Sequence, residues 1–311
     1  MTAVIEGLHH ITAISGRPQR NLDFYAKVLG LRFVKKTVNF DDPSVYHLYY
    51  GDRQGTPGTV LTFFAWERLG RGRPGTGEAS LTQFAVPPDS LAFWRTRLEA
   101  NQALVSEAGL RFGEETLLGQ DPDGLAFALV APAEADDRAP WTTDGIGEEV
   151  AIRGFHGVTL TLADPAPTAA LLELLGYQAA GAEAGTQRFA SPHARHARLV
   201  DLVVLPDGQR ALQGQGSVHH IAFRVADRAA QSAVREQLQA AGFQVTPQID
   251  RNYFYSIYFR SPGGVLFEVA TDEPGFTVDE DIAELGRSLK LPHQHEPLRA
   301  ELERILPPIG V

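Results

Sequence analysis

Apolar positions along this chain alternate between two periods, and the alternation itself repeats. Four segments space their apolar residues three and four apart: "LDFYAKVLGLRF" (22–33), "LAFWRTRLEANQAL" (91–104), "TAALLELLGYQA" (168–179) and "AVREQLQAAGFQV" (233–245). That spacing lines up one face of a short amphipathic helix. Gly30, Asn101, Gly176 and Gly242 follow the last apolar positions, and these residue types tolerate the left-handed conformation that ends a helix. Each helix is preceded by a strand-like run: "HHITAIS", "LTQFAVP", "HGVTLTL" and "HHIAFRV". Further β-rich segments follow. In the first unit they are "RFVKKTVNF", "VYHLYYG" and "TVLTFFAW"; in the last, "FQVTPQI", "YSIYFRSP" and "VLFEVAT". The pattern is βαβββ, four times over, at intervals of roughly 65–75 residues, and the predicted class is α+β.

Polar, acidic or Gly/Pro-rich stretches at 67–78, 134–149 and 206–217 read as linkers. They suggest an N-terminal domain at 5–133 holding modules one and two, and a C-terminal domain at 151–273 holding modules three and four. A tail at 277–311 contains "EPLRAELERILPPI", which predicts a terminal helix.

Aligning the modules by hand turns the repeat into a test for a site. One slot of the first strand holds His10, Thr82, Gly157 and His220; one slot of the last strand holds Phe63, Ala128, approximately Val203 and Glu268. A structural requirement would impose similar residues on every copy. Ligand-type residues instead occupy three slots and leave the others, as expected of a single site on a duplicated scaffold. In "GGVLFEVAT" (263–271) both faces of the strand are apolar, so Glu268 is ionised in apolar surroundings. An unpaired buried carboxylate is costly, and either a metal cation or an arginine would resolve it. The doubled His pairs, His9–His10 and His219–His220, favour the metal. Strand alternation sends only one member of each pair inward, predicted as His10 and His220. Two imidazoles and one carboxylate fit a facial triad with open positions, the ligand set of non-haem Fe(II) oxygenases; Mn(II) or Zn(II) would also suit it.

Composition narrows the alternatives. A formal charge of −10 over 311 residues argues against nucleic acid or an anionic membrane surface as the main partner. The absence of cysteine removes disulfides, thiolate catalysis and Cys-based metal sites. No secretory leader and no membrane-spanning run is read in the sequence, so a cytoplasmic protein is expected, and a homo-oligomer is left open. "SPHARH" (191–196) and "LPHQHEP" (291–297) have metal-like spacing but lie in Pro-rich, charged segments and read as surface features. His47 reads as packed in an aromatic strand, His156 as a remnant, and Asp201 as a strand carboxylate paired with an arginine. "GRGRPGTG" lacks the frame and the lysine of a phosphate loop.

At these residues the chain resembles the vicinal oxygen chelate superfamily of glyoxalase I, extradiol dioxygenases and bleomycin-resistance proteins, from about Gly7 to Phe276. "GLHHIT", "VHHIAFRV", "DRNYFYSIYFRSPGGVLFEVATDEPGF" and the Pro-rich tail are similar to four-module ring-cleaving dioxygenases acting on hydroquinones. The resemblance implies two cup-shaped mixed β-barrels, Fe(II) on His10, His220 and Glu268, and a surrounding set of His9, Thr12, His219, Arg251 and Tyr258. His9 and His219 are then expected to exchange protons with substrate oxygens, and Arg251 and Tyr258 to stabilise developing negative charge. It further implies that modules one and four share the metal cup, leaving two and three as a metal-free companion. The implied activity is an extradiol-type, O2-consuming cleavage of a dihydroxylated aromatic ring. A glyoxalase-I-type lyase would want a fourth ligand where the alignment puts Phe63, and a ligand-sequestering protein of the bleomycin-resistance type would need no metal triad.

Overall fold

The computed structural model describes residues 4–134 and 136–310; residue 135 of the second linker and Val311 of the tail lie outside them. Module one runs β1 (Leu8–Ser15), a helix α1 (Pro18–Leu22) that continues as a π-helical stretch (Asp23–Val28), β2 (Arg32–Val38), β3 (Tyr46–Gly51) and β4 (Val60–Ala65). Module two is β5 (Glu78–Ala85), α2 (Leu91–Ala100), β6 (Leu104–Arg111), β7 (Glu114–Gln120) and β8 (Ala126–Ala131). Module three is β9 (Gly154–Leu162), α3 (Ala166–Leu174), β10 (Gln178–Glu183), β11 (Thr186–Ala190) and β12 (Leu199–Val204). Module four is β13 (Ser217–Val225), α4 (Arg228–Ala240), β14 (Ile249–Asp250), β15 (Phe254–Arg260) and β16 (Leu266–Pro274), and α5 (Arg299–Ile305) lies in the tail.

Two local expectations need correction. Gly30, Gly176 and Gly242 end their helices at φ of 70°, 90° and 90°, but after α2 the left-handed position is Gln102 (φ 59°), while Asn101 sits at φ −98°. The run "FQVTPQI" forms only the two-residue β14, because Pro247 has no N–H to give a ladder.

Among the described residues sixteen strands form two eight-stranded sheets, ordered β14-β15-β16-β13-β1-β4-β3-β2 and β10-β11-β12-β9-β5-β8-β7-β6. Each sheet joins two modules through their first strands, β1 antiparallel to β13 and β5 antiparallel to β9. One sheet therefore holds modules one and four, and the other holds two and three. This is the vicinal oxygen chelate fold, α+β with curved mixed sheets. The segments 5–133 and 151–273 mark sequence repeats, and each sheet draws strands from both.

A continuous apolar core lies between the sheets and their helices, with Tyr25, Phe63, Trp94, Phe155, Phe223 and Phe267 all buried. Burying side chains of this size contributes about 1.5–3 kcal/mol each. Polar latches add direction. The β7–β8 turn accepts Tyr25 Oη on Asp121 Oδ2 at 3.1 Å and Gly16 N on Asp123 Oδ2 at 2.8 Å, tying module two to module one. The tail returns to module one: fully buried Lys35 on β2 donates to Phe276 O at 3.1 Å and pairs with Asp279 (2.6 Å) and Glu280. No helix among the described residues is long and apolar enough to cross a membrane.

Candidate metal centre

Both His pairs depart from simple strand alternation, for a reason visible in the ladder. Between Leu8↔Phe223 and His10↔Ala222, β1 carries one extra residue, His9; between Thr12↔His220 and Ala13↔Val218, β13 carries one extra residue, His219. Each is a β-bulge, which re-aims side chains locally. The bulges bring adjacent rings together: Nδ1 atoms lie 2.9 Å apart in His9–His10 and 2.7 Å apart in His219–His220.

The bulges also correct the alignment of the repeats. In the companion sheet the extra residues are Ser80 and His156, so the slot of His10 and His220 is filled by Leu81 and Gly157; Leu81 replaces Thr82. The parallel registers Thr12↔Thr62, Gln83↔Ala128, Thr159↔Asp201 and Ala222↔Glu268 then define the last-strand slot. Thr62 stands where Phe63 was expected, and Asp201 where Val203 was. Phe63 faces the helix instead, its ring 4.5 Å from that of Tyr25. The carboxylate is thus present in two slots, but Asp201 is neutralised by Arg188, Nε to Oδ1 at 2.8 Å and Nη2 to Oδ2 at 3.0 Å. Arg188 also pairs with Glu114 at 3.0 Å, and Glu114 with His156 at 3.0 Å. The companion cup fills with a guanidinium the place beside its carboxylate.

Among the described residues no lysine or arginine pairs with Glu268 in the first sheet. Glu268 is 0% exposed; Ser256 Oγ donates to its Oε1, while its Oε2 has no hydrogen-bond partner. Facing Oε2 are His220 Nε2 at 2.9 Å and His10 Nε2 at 3.3 Å, themselves 3.4 Å apart. Two ligands about 2.1 Å from one ion stand about 3.0 Å apart at octahedral angles and about 3.4 Å at tetrahedral ones. The triangle matches that range.

Proton bookkeeping points the same way. His9 Nε2 lies 3.0 Å from Thr271 O, and a carbonyl only accepts, so His9 carries its proton on Nε2. Burial and the neighbouring His10 hold His9 well below its ordinary value, so it is neutral and its Nδ1 is a lone pair. His10 must therefore donate from Nδ1, and in the neutral ring that a metal ligand requires this leaves a lone pair on its Nε2. Two acceptors, His10 Nε2 and Glu268 Oε2, then face each other, a contact that a cation converts from repulsion to attraction. Burial pushes the Glu268 carboxyl up, and it lies well below its ordinary value only where positive charge on the His10 and His220 side outweighs burial; with both rings neutral, a bound cation is what supplies that charge. Burial also lowers His220, against the pull of Glu268. The donor set and its uncompensated lone pairs fit a divalent metal.

A cavity of about 420 Å³ opens over these atoms, within the size range of small-molecule sites. His10, Thr12, His219, His220, Arg251, Tyr258 and Glu268 all line it. Arg251 Nε donates to Tyr258 Oη at 3.2 Å, and its guanidinium stands 5.2 Å from the Phe40 ring centroid. Burial and Glu268 push the Tyr258 phenol up, so it is protonated. Burial beside His220 lowers His219 to about 3, leaving it neutral. His9 does not line this cavity; it is 2% exposed behind His10 and bonded to Thr271, so it orients a ring rather than reaching into the cavity.

Sequence reasoning missed His47, whose two nitrogens are both hydrogen-bonded and which lines the cavity. The parity of "VYHLYY" could have placed it beside Tyr49 on the inner face. Ser256, the support of Glu268, shares parity with Tyr258 and was equally within reach. His196 lies on the surface, bonded to Asp137 at 2.8 Å.

The family model for the "Glyoxalase/Bleomycin resistance protein/Dioxygenase superfamily" matches residues 7–269. "Putative ring-cleaving dioxygenase MhqO" of Bacillus subtilis is 45% identical over 306 residues, covering 98% of this chain and 97% of that protein. The chlorohydroquinone/hydroquinone 1,2-dioxygenase of Sphingobium indicum is 37% identical over 310 residues, 97% and 96% of the two chains. A crystal structure of a "putative dioxygenase" from Bacillus subtilis superposes with a TM-score of 0.95 at 44% identity, over 99% of this chain and 98% of that one. Glyoxalase I from Zea mays shares the fold at a TM-score of 0.62 and 15% identity, over 86% of this chain and 92% of that one. The chain belongs to the glyoxalase/bleomycin resistance protein/dioxygenase superfamily.

Proposed function

We propose that the protein is an Fe(II)-dependent, ring-cleaving dioxygenase whose substrate is a dihydroxylated aromatic such as a hydroquinone, with the metal held by His10, His220 and Glu268. The observation that carries this reading is the pair of opposed acceptors, His10 Nε2 and Glu268 Oε2, 3.3 Å apart at the floor of an aromatic-walled cavity. The relatives named for ring cleavage, one of them for hydroquinones, support the substrate class. Held by His10, His220 and Glu268, Fe(II) would supply the redox chemistry that lets an aromatic diol react with dioxygen.

The chain's own residues supply the rest. Thr271 O and His9 fix the tautomer of His10, as partners of ligand imidazoles generally do. His219 Nε2 has no protein partner among the described residues and belongs to a ring that lines the cavity, so it is the group that exchanges a proton with a substrate oxygen. Arg251 and the protonated Tyr258 place a positive charge and a phenol at the same wall, where they stabilise negative charge on ring oxygens. Phe64, Trp66 and Phe254 exclude water and hold the ring. Thr62 in the slot opposite Glu268 supplies no fourth carboxylate.

The test is anaerobic Fe(II) reconstitution followed by O2 uptake with hydroquinones, catechols and a methylglyoxal–thiol adduct. One O2 consumed per hydroquinone is the expected result. Conversion of the adduct alone would assign a lyase, and tight ligand binding without conversion of anything would assign a sequestering protein.

A further inference from the structure

The wall opposite Glu268 repeats the metal site without its carboxylate. β3 and β4 pair Tyr49 with Thr62 as β15 and β16 pair Tyr258 with Glu268. Thr62 therefore answers to Glu268, Tyr49 to Tyr258, and His47 to Ser256. The support is duplicated too: Ser256 donates to Glu268, and His47 Nε2 lies 2.8 Å from Thr62 Oγ1. The bonds continue in both directions, His47 Nδ1 to Tyr49 Oη at 2.9 Å and Thr62 Oγ1 to Thr12 Oγ1 at 2.9 Å. His47, Tyr49 and Thr12 all face the cavity.

Burial, with His220 and His10 nearby, lowers His47 and keeps it neutral. A neutral imidazole has one N–H and one lone pair, so the chain of bonds has two consistent directions. With the proton on Nε2, Tyr49 donates to His47, His47 to Thr62 and Thr62 to Thr12, and the Thr12 hydroxyl has its hydrogen free for the cavity. With the proton on Nδ1, His47 donates to Tyr49, Thr62 to His47 and Thr12 to Thr62. The Thr12 oxygen then offers the cavity only a lone pair.

We propose that Tyr49, His47, Thr62 and Thr12 form one hydrogen-bond chain, with His47 as its positioning residue, that lets Thr12 act as donor or acceptor toward an oxygen of the aromatic ligand. A ring hydroxyl has a hydrogen to give, whereas a ring oxyanion or quinone carbonyl has only lone pairs, and the one wall serves both. The inference rests on the proposed substrate class for the identity of the ligand.

The experiment uses Zn(II)-loaded protein, which is redox-inert, titrated with hydroquinone under nitrogen. Imidazole 15N spectra report the tautomer of His47, and titration gives Kd. Hydroquinone should shift the His47 nitrogen resonances. His47→Phe and isosteric Thr62→Val should each weaken binding about tenfold, the loss of one hydrogen bond, at unchanged zinc stoichiometry. The double variant should lose little more, because both break one chain. His47→Gln, which keeps a donor and an acceptor, should recover most of the affinity. Wild-type binding in either single variant, additive losses, or a Gln variant no better than Phe would overturn the inference alone. A wild-type protein that neither binds nor cleaves hydroquinone would overturn the substrate reading and the inference with it.

Discussion

Replacing Glu268 by glutamine should change the sign of its effect on stability when metal is added. Gln keeps the shape and the bond from Ser256, and its amide can donate to the lone pair on His10 Nε2 that the carboxylate only opposes. Without metal, the variant should be about 1–3 kcal/mol more stable than wild type, because a buried unpaired charge is removed. With free metal at about a thousand times Kd, the wild type gains about 4 kcal/mol by linkage and the variant gains little. For 311 residues at about 2.1 cal/mol/K each, the melting entropy is about 0.65 kcal/mol/K, so 4 kcal/mol is about 6 °C. Calorimetry with chelator and with Mn(II), a redox-quiet probe, checks both halves. A variant that melts below wild type in chelator, or shifts with Mn(II) as wild type does, would refute the opposed-acceptor argument.

Three further outcomes test other parts of the molecule. Burial, with Asp123 nearby, raises Asp121 to about 6 despite its hydrogen bonds, so the fold favours the neutral acid. Its contribution is present below the unfolded value near 3.8 and fades as pH rises through 6. Asp121→Asn should thus gain about 3 kcal/mol at pH 8 and almost nothing at pH 3.5, read from urea midpoints; equal gains at both pH values would contradict the assignment. Lys35→Met strands buried Glu280 and should cost about 3–5 kcal/mol in urea unfolding and admit trypsin at Arg287; wild-type resistance would show that the tail is held otherwise. Arg188→Met leaves the Asp201 charge with only the Gln83 amide as partner, at 3.0 Å, and should cost a similar amount, about 3–5 kcal/mol, most of it recovered in Arg188→Met/Asp201→Leu. A double variant no more stable than the single would count against the ion pair as the cause.

Much of the architecture was legible because periodicity and caps are local. The four helices, the order of strands in each module and the terminal helix follow from apolar spacing, glycines and prolines. Bulges are not local in this sense. They are defined by the partner strand, so no spacing within "GLHHIT" distinguishes a regular strand from one with His9 inserted. That uncertainty of one or two residues moved three of the eight aligned slots and hid Asp201 as the second carboxylate. His10, His220 and Glu268 stood out regardless, since a duplicated His slot and a lone carboxylate between apolar neighbours need no register. His47 was hidden by the strand around it, where aromatic neighbours suggest packing and only cross-strand pairing with Thr62 discloses hydrogen bonding.

The joining of β1 to β13 sets the order in which a growing chain can mature. Their partners are more than two hundred positions apart, so the cup over His10 depends on one of the longest loop closures the chain must make. Modules two and three can pair as neighbours while module one waits with its inner face uncovered, exposed to water and to other chains. Only when β16 emerges does Glu268 arrive beside the imidazoles. Loading of the proposed metal would then wait on the last module, because a chain truncated before β16 lacks Glu268, the carboxylate of the site.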